Sequence, residues 1–189
     1  LNPVAMANLT KDQVTHANLL GNFYFQWEII KGLKYKFSAA TNYNYFYNEY
    51  YRSSELPLQG EKYFQSPSNP VAKSSGTYYL NWLIENTLNY SFTLADKHSF
   101  NALLGYTTQS HTYEHMKGEA RGYANDNITT LNAGTMYALT SDESEYSMIS
   151  YLGRINYVYD NRYMLTTTLR SDGSSRFGKN TKWGTFPSV

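Results

Sequence analysis

Between Tyr146 and Asp172 the apolar side chains fall on every second residue. Ile149, Tyr151, Gly153, Ile155, Tyr157 and Tyr159 share one parity, while Ser150, Arg154, Asn156 and Asp160 share the other. This is the period-2 signature of a strand with one apolar face; only Met148, Leu152 and Val158 break the polar side. After an Asp160–Asn161 turn the alternation resumes, with Tyr163, Leu165, Thr167 and Leu169 against Thr166, Thr168, Arg170 and Asp172. The stretch predicts a hairpin that is greasy on one face and charged on the other. Two architectures accept such strands. A soluble sandwich buries the apolar faces in a shared core, whereas an outer-membrane barrel turns them to lipid and lines its lumen with polar groups.

Strand length and loop placement separate the two. Thr15 to Ile29 alternates for about fifteen residues, with Leu19, Phe23, Phe25, Trp27 and Ile29 on the odd face, far beyond the five or six residues usual in soluble proteins. The same reasoning predicts strands at about 15–30, 33–51, 77–92, 98–113, 146–159 and 162–171, with a seventh beginning near the C-terminal FPSV. Leu1 to Gln13 reads as polar and irregular. Tight turns are expected at Lys31–Gly32, Ala95–Lys97 and Asp160–Asn161, and long polar loops at 52–75, 114–145 and 172–182; the first of these loops carries Pro57, Pro67 and Pro70. In an up-and-down meander, strict alternation of short and long connections gathers the turns at one end and the loops at the other, as in outer-membrane barrels. A Greek-key sandwich gives no such sorting.

Composition agrees. Twenty Tyr, nine Phe and three Trp make the chain 17% aromatic, and charged residues are only 16%; such a balance suits amphipathic strands with aromatic girdles rather than helical bundles. The net charge of +1 is scattered, so no nucleic-acid surface is expected. There is no Cys, which excludes a disulfide framework and thiolate metal sites. No apolar run reaches the eighteen or so residues of a membrane-spanning helix. The opening LNPVAMANLT has no basic segment followed by an apolar one, and the sequence reads as an internal piece of a longer protein.

Few residues suggest chemistry. Gly173 to Lys179 matches G-x4-G-K of a phosphate-binding loop, but position 180 is Asn where Ser or Thr would hold Mg²⁺, and Trp183-Gly-Thr-Phe-Pro187 is a poor helix. It reads as a solvent loop. His111 and His115 lie four apart, about 13 Å on a strand, too far to share an ion. Asp142, Glu143 and Glu145 lack EF-hand spacing, and the sequons at Asn89 and Asn127 are of a kind frequent by chance. No nucleophile–base or paired-carboxylate arrangement is present, so neither an enzyme nor a cofactor is expected. Glu85, Arg154, Arg170 and Asp172 are predicted to face the lumen, either as an ion-paired wall or as contacts for a solute.

NYVYDNRYMLTTTLRSDGSSRFGKNTKWGTFPSV resembles the signature stretch of the SusC/RagA-type TonB-dependent outer-membrane transporters of Bacteroidetes. LLGNFYFQWEIIKGLKYKFSAATNY and NWLIENTLNYSFTLADKHSFNALLGY resemble upstream hairpins of the same barrels. The likeness is most specific in Arg170–Gly178 and Trp183–Val189, and weaker in the two longest loops. It implies an all-β, antiparallel segment of a 22-strand transmembrane barrel that is open as a fragment. It further implies a plug outside this sequence, a TonB complex that supplies energy, a SusD-like surface lipoprotein as partner, outer-membrane lipid around the wall, and import of glycans or peptides. The rival readings are a soluble all-β carbohydrate-binding module and an enzyme built on the Gly173–Lys179 loop.

Overall fold

The structure is a computed structural model that describes residues 2–56 and 70–189. After a short helix, α1 (Pro3–Leu9), the chain forms seven strands: β1 (Thr10–Ile30), β2 (Leu33–Arg52), β3 (Val71–Leu94), β4 (His98–Arg121), β5 (Thr135–Tyr159), β6 (Tyr163–Ser174) and β7 (Trp183–Ser188). They make one sheet in the order β1-β2-β3-β4-β5-β6-β7. Each strand pairs with its neighbour in sequence, so the sheet is an up-and-down meander with β1 and β7 as its edges. In the β5–β6 register Gly153 lies opposite Leu169 and Tyr157 opposite Leu165, while Ser150 lies opposite Asp172. Apolar therefore meets apolar and polar meets polar, as alternation requires.

The tight turns fall where the sequence places them. Ala95, Asp96, Asp160 and Asn161 all take positive φ (49°, 54°, 50° and 53°), the primed-turn geometry that matches strand twist. Gly32 is required outright: its φ is +81°, and a Cβ there would collide with the Ser91 carbonyl.

Strand ends differ from expectation. Leu1–Gln13 is not irregular, because α1 is capped by the Asn2 side chain on Val4 N–H at 3.0 Å and β1 starts at Thr10. β3 begins at Val71, β4 runs to Arg121 and β5 starts at Thr135. The loop expected at 114–145 therefore shrinks to 122–134, and that expected at 172–182 to 175–182. The loop expected at 52–75 shortens at both ends, and its residues 57–69 lie outside those described. The cause is visible between β1 and β2, where Lys11 pairs with Glu49 at 2.7 Å on one face and Asn48 donates to Asp12 at 2.9 Å on the other. Where both faces are polar, alternation vanishes from the sequence while the backbone ladder continues.

The chain divides into two compact units: Leu1–Asn18, Tyr43–Tyr79 and Tyr113–Ser144, and Leu19–Asn42, Leu80–Thr112 and Glu145–Val189. The first holds the only buried apolar cluster among the described residues, formed by Tyr51, Ala72, Ala120 and Tyr123 with Leu131 against it. The second leaves its large apolar side chains at the surface. Phe25 is 51% exposed, Trp82 37% and Leu104 64%, and they do not meet in a dry interior. Instead Phe92, Phe100 and Tyr157 stack in sequence, with ring centroids 5.0 and 4.8 Å apart, an aromatic band of the kind that sits at a membrane interface.

A charge on this apolar face should be costly and one on the other face should not. Ile84→Arg in the full-length protein is expected to lower folding stability in phospholipid vesicles by about 2–4 kcal/mol, and Gln109→Arg by less than about 1. Urea titration of the refolded proteins measures both; equal losses would refute the assigned sidedness.

Candidate functional site: the polar face of the sheet

The face opposite the aromatics is a hydrogen-bonded surface of amides, hydroxyls and rings. In the second unit Asn101 donates to Asn89 Oδ1 at 2.9 Å and to Ser91 Oγ at 2.8 Å, and its own Oδ1 accepts from Asn156 at 3.3 Å. Thr166 donates to Asn156 Oδ1 at 3.0 Å. The ladder thus crosses four strands without a formal charge. Side chains so restrained present fixed polar groups at little further entropic cost.

Farther along the same face, His111 is hydrogen-bonded to Asn81, and its ring lies 5.1 Å from that of Tyr146. Arg176 covers Tyr146, with its guanidinium carbon 3.9 Å from the ring centroid. A hollow of about 190 Å³ opens here, lined by Asn42, Asn81, Gln109, His111 and Tyr146 around Leu20 and Leu83. Sequence reading missed this group, because its members come from several strands and only the register brings them together.

Of the residues expected on this face, Arg170 and Asp172 are joined: Arg170 Nε donates to Asp172 Oδ1 at 2.8 Å, and Nη2 to Ser150 Oγ at 3.3 Å. Arg154 lies opposite Thr168 and is exposed. Glu85 is half-buried on β3. The structure therefore gathers two of the four into one ion pair and leaves Glu85 and Arg154 on other strands. His115 binds Thr77 at 2.8 Å, apart from His111, and no group of three metal-ligating side chains occurs among the described residues. Asp142, Glu143 and Glu145 lie in β5 rather than in a loop. In the Gly173–Lys179 stretch the amides of Ser174, Ser175 and Phe177 donate to Lys182, Ser147 and Ser174 carbonyls, so they are not directed at a phosphate.

The loop after β4 is held by a carboxylate that sequence reading did not single out. Asp126 accepts from Tyr51 Oη at 2.7 Å, Ser53 Oγ at 3.0 Å, Ser54 N at 3.0 Å and Ser54 Oγ at 2.7 Å. Tyr123 Oη donates to the Thr130 carbonyl at 3.0 Å and packs edge-on against Tyr51 with centroids 5.5 Å apart. Partial burial works to raise the Asp126 pKa, but the four donors outweigh it and bring it down to about 2.

A meander whose first five strands run 20 to 25 residues, greasy on one face and polar on the other, is the wall of an outer-membrane-type β-barrel. No helix among the described residues is long and apolar enough to cross a membrane, which says nothing about crossing by strands. No family model matches the chain. It is 31% identical over 193 residues to TonB-dependent receptor P39 of Formosa agariphila, covering 100% of this chain and 18% of that protein. It is 29% identical over 192 residues to receptor P26 of the same organism, covering 100% and 19%, and 42% identical over 81 residues to SusC of Bacteroides thetaiotaomicron, covering 40% and 8%. Among solved structures it is similar to the RagAB peptide transporter, with a TM-score of 0.84 and 23% identity over 96% of this chain and 20% of that one. Along its whole length, then, the chain is a homologue of TonB-dependent receptors, and over 40% of it the homology extends to SusC. It spans about a fifth of the length of the full-length relatives it matches. These relatives are receptors and transporters, not enzymes.

Asp126 sets a pH dependence. Its folded pKa of about 2 lies below the usual aspartate value of about 3.9, so the charged form stabilises the loop above that value and the effect is lost as pH falls from about 4 to about 2. Limited proteolysis of the receptor should find residues 122–134 protected at neutral pH and cleaved on acidification through that window. Asp126→Asn should be cleaved faster at pH 7, having lost on the order of 1–3 kcal/mol of charge-assisted hydrogen bonding; unchanged protection would remove Asp126 from this role.

Proposed function

We propose that the chain is part of the barrel wall of an outer-membrane TonB-dependent active transporter that imports an oligomeric nutrient, a glycan or a peptide. The observation that carries this reading is the sidedness of the sheet: exposed Phe25, Trp82 and Leu104 on one face and the Asn89–Asn101–Asn156 ladder on the other. Similarity to SusC and to the RagAB peptide transporter supports both the import and a SusD-like surface lipoprotein as partner. In this reading solute is captured on the outside, energy arrives through the TonB complex acting on parts of the receptor beyond these residues, and the polar face forms part of the passage. Glu85, Arg154, Arg170 and Asp172 would line it, the Arg170–Asp172 pair as a self-neutralised element of the wall.

Import is tested in cells carrying the full-length receptor. Uptake of labelled oligosaccharides and oligopeptides should require the receptor and stop when TonB is deleted or the proton gradient collapsed, and affinity purification should recover a SusD-like lipoprotein. A receptor that stays monomeric without detergent and binds glycan in solution would instead be the soluble carbohydrate-binding module.

A further inference from the structure

The polar parity of β2 carries Ser38, Asn42, Asn44 and Asn48, and one phenyl ring, Phe46, interrupts it. The ring is 41% exposed, whereas the other residues from Phe37 to Tyr50 are all half-buried. It does not face hydrocarbon. It shares the side of the amides, and at its level the other face of β1 carries Lys11, Gln13 and Thr15, so this part of the sheet is wet on both sides.

The ring is held in place before any ligand arrives. His16 of β1 stacks on it with centroids 4.1 Å apart and planes 8° from parallel, covering one face. Asn18 donates to Asn44 on one side of this stack, and Asn48 donates to Asp12 at 2.9 Å on the other. Toward β3, Ser74 Oγ donates to Tyr47 Oη at 3.1 Å. That register sets Ser75 across from Phe46, a residue too small to cover the second face of the ring. All of these residues belong to the first compact unit. The result is a flat apolar surface with an amide two residues away in each direction, about 6.7 Å along the strand.

We propose that Phe46 is the stacking platform of a glycan subsite, taking one uncharged pyranose ring of the imported oligomer. A pyranose has a face of C–H groups and a rim of hydroxyls. The C–H face fits the free side of the phenyl ring. The hydroxyls, each donor and acceptor at once, match the amides of Asn44 and Asn48, which are likewise both. The spacing lets one sugar seated on Phe46 reach the two amides together. Asp12 adds an acceptor for hydroxyls and repels a ring that carries a carboxylate or sulfate. A peptide held in extended form calls for a row of free backbone groups or an opposed charge, and this patch offers neither. Because the ring is already stacked and the amides already bonded, little ordering is left for binding to impose. The inference rests on the import function proposed above and decides between the two classes of cargo it allows.

The test uses the full-length receptor in detergent micelles, titrated calorimetrically with cellohexaose, xylohexaose, mannohexaose and maltohexaose as glycan probes and a tryptic digest of casein as the peptide probe. At least one hexaose is expected to bind. Phe46→Ala should weaken that hexaose roughly two- to tenfold, the scale of one aromatic stacking contact, and Phe46→Trp should bind it at least as well as the parent. Should the alanine variant assemble poorly, Phe46→Leu, apolar but without a flat face, takes its place. Uptake of the labelled hexaose by cells should fall in the same order. Binding of no hexaose, binding of the digest alone, or a hexaose affinity indifferent to Phe46 would each overturn the proposal. TonB-dependent uptake of peptides without uptake of any hexaose overturns this inference alone, whereas uptake of neither withdraws the import function itself.

Discussion

The backbone hydrogen bond between neighbouring strands is the constraint from which the rest of this structure follows. Within a bilayer no water is available to an unpaired N–H or C=O, so every strand must be paired along the full thickness it crosses. A meander meets that demand with the fewest topological complications, since each strand after β1 pairs with its predecessor. It also fixes what each side chain meets. Once the register sets Tyr157 opposite Leu165 and Ser150 opposite Asp172, the two faces are chemically distinct along the whole hairpin. A one-residue slip would exchange them, setting Arg170 among Tyr151 and Ile155. The Arg170–Asp172–Ser150 contacts reinforce the register from the polar side, and the stacked aromatic rings do so from the other.

Because the apolar face has no protein against it, almost nothing in this chain is buried in the ordinary sense. No large side chain is fully buried among the described residues. Local cohesion instead comes from cross-strand neighbours, each worth a few tenths of a kcal/mol to about 1. The exception is the cluster of Tyr51, Ala72, Ala120 and Tyr123, where a loop folds onto strand ends and excludes water. There the chain behaves like a small soluble protein, with a dry core, a T-shaped aromatic pair and a carboxylate fully used by neighbouring donors.

That difference explains which parts were legible in the sequence. In the run from Leu19 to Ile29, and from Leu80 to Phe92, one face is apolar and the other polar, so the strand is written in the residue types. At Lys11–Glu49 and Asp12–Asn48 both faces are polar, and the strand leaves no such pattern; the start of β5 loses the alternation in the opposite way, since Met136, Tyr137, Ala138 and Leu139 are apolar on both parities. Turns were legible where they depend on local chemistry, as at Gly32 and Asp160–Asn161. Among the site residues, the shared parity of Arg170 and Asp172 could be read, and their pairing follows from a spacing of two. The Asn81–His111–Tyr146 group could not be read, because it depends on the offsets among three strands, and those offsets are set by hairpins whose ends the sequence did not mark.

On the proposed function, the polar face also bears on how a passage can be selective without being sticky. Charged side chains bind an oppositely charged solute tightly at one point and slow its release, whereas conduction needs many weak contacts in succession. Here Arg170 is paired with Asp172 at 2.8 Å, Arg176 is turned onto Tyr146, and the ladder from Ser91 to Thr166 is uncharged. Neutralised charges and mutually bonded amides can exchange partners with a passing hydroxyl or peptide group at small net cost, since each bond lost to the wall is replaced by one to the solute or to water. On the proposed function, a wall built in this way would meet neutral polar groups through many weak contacts, with Arg154 and Glu85 among the charges on this face that the Arg170–Asp172 pair does not neutralise.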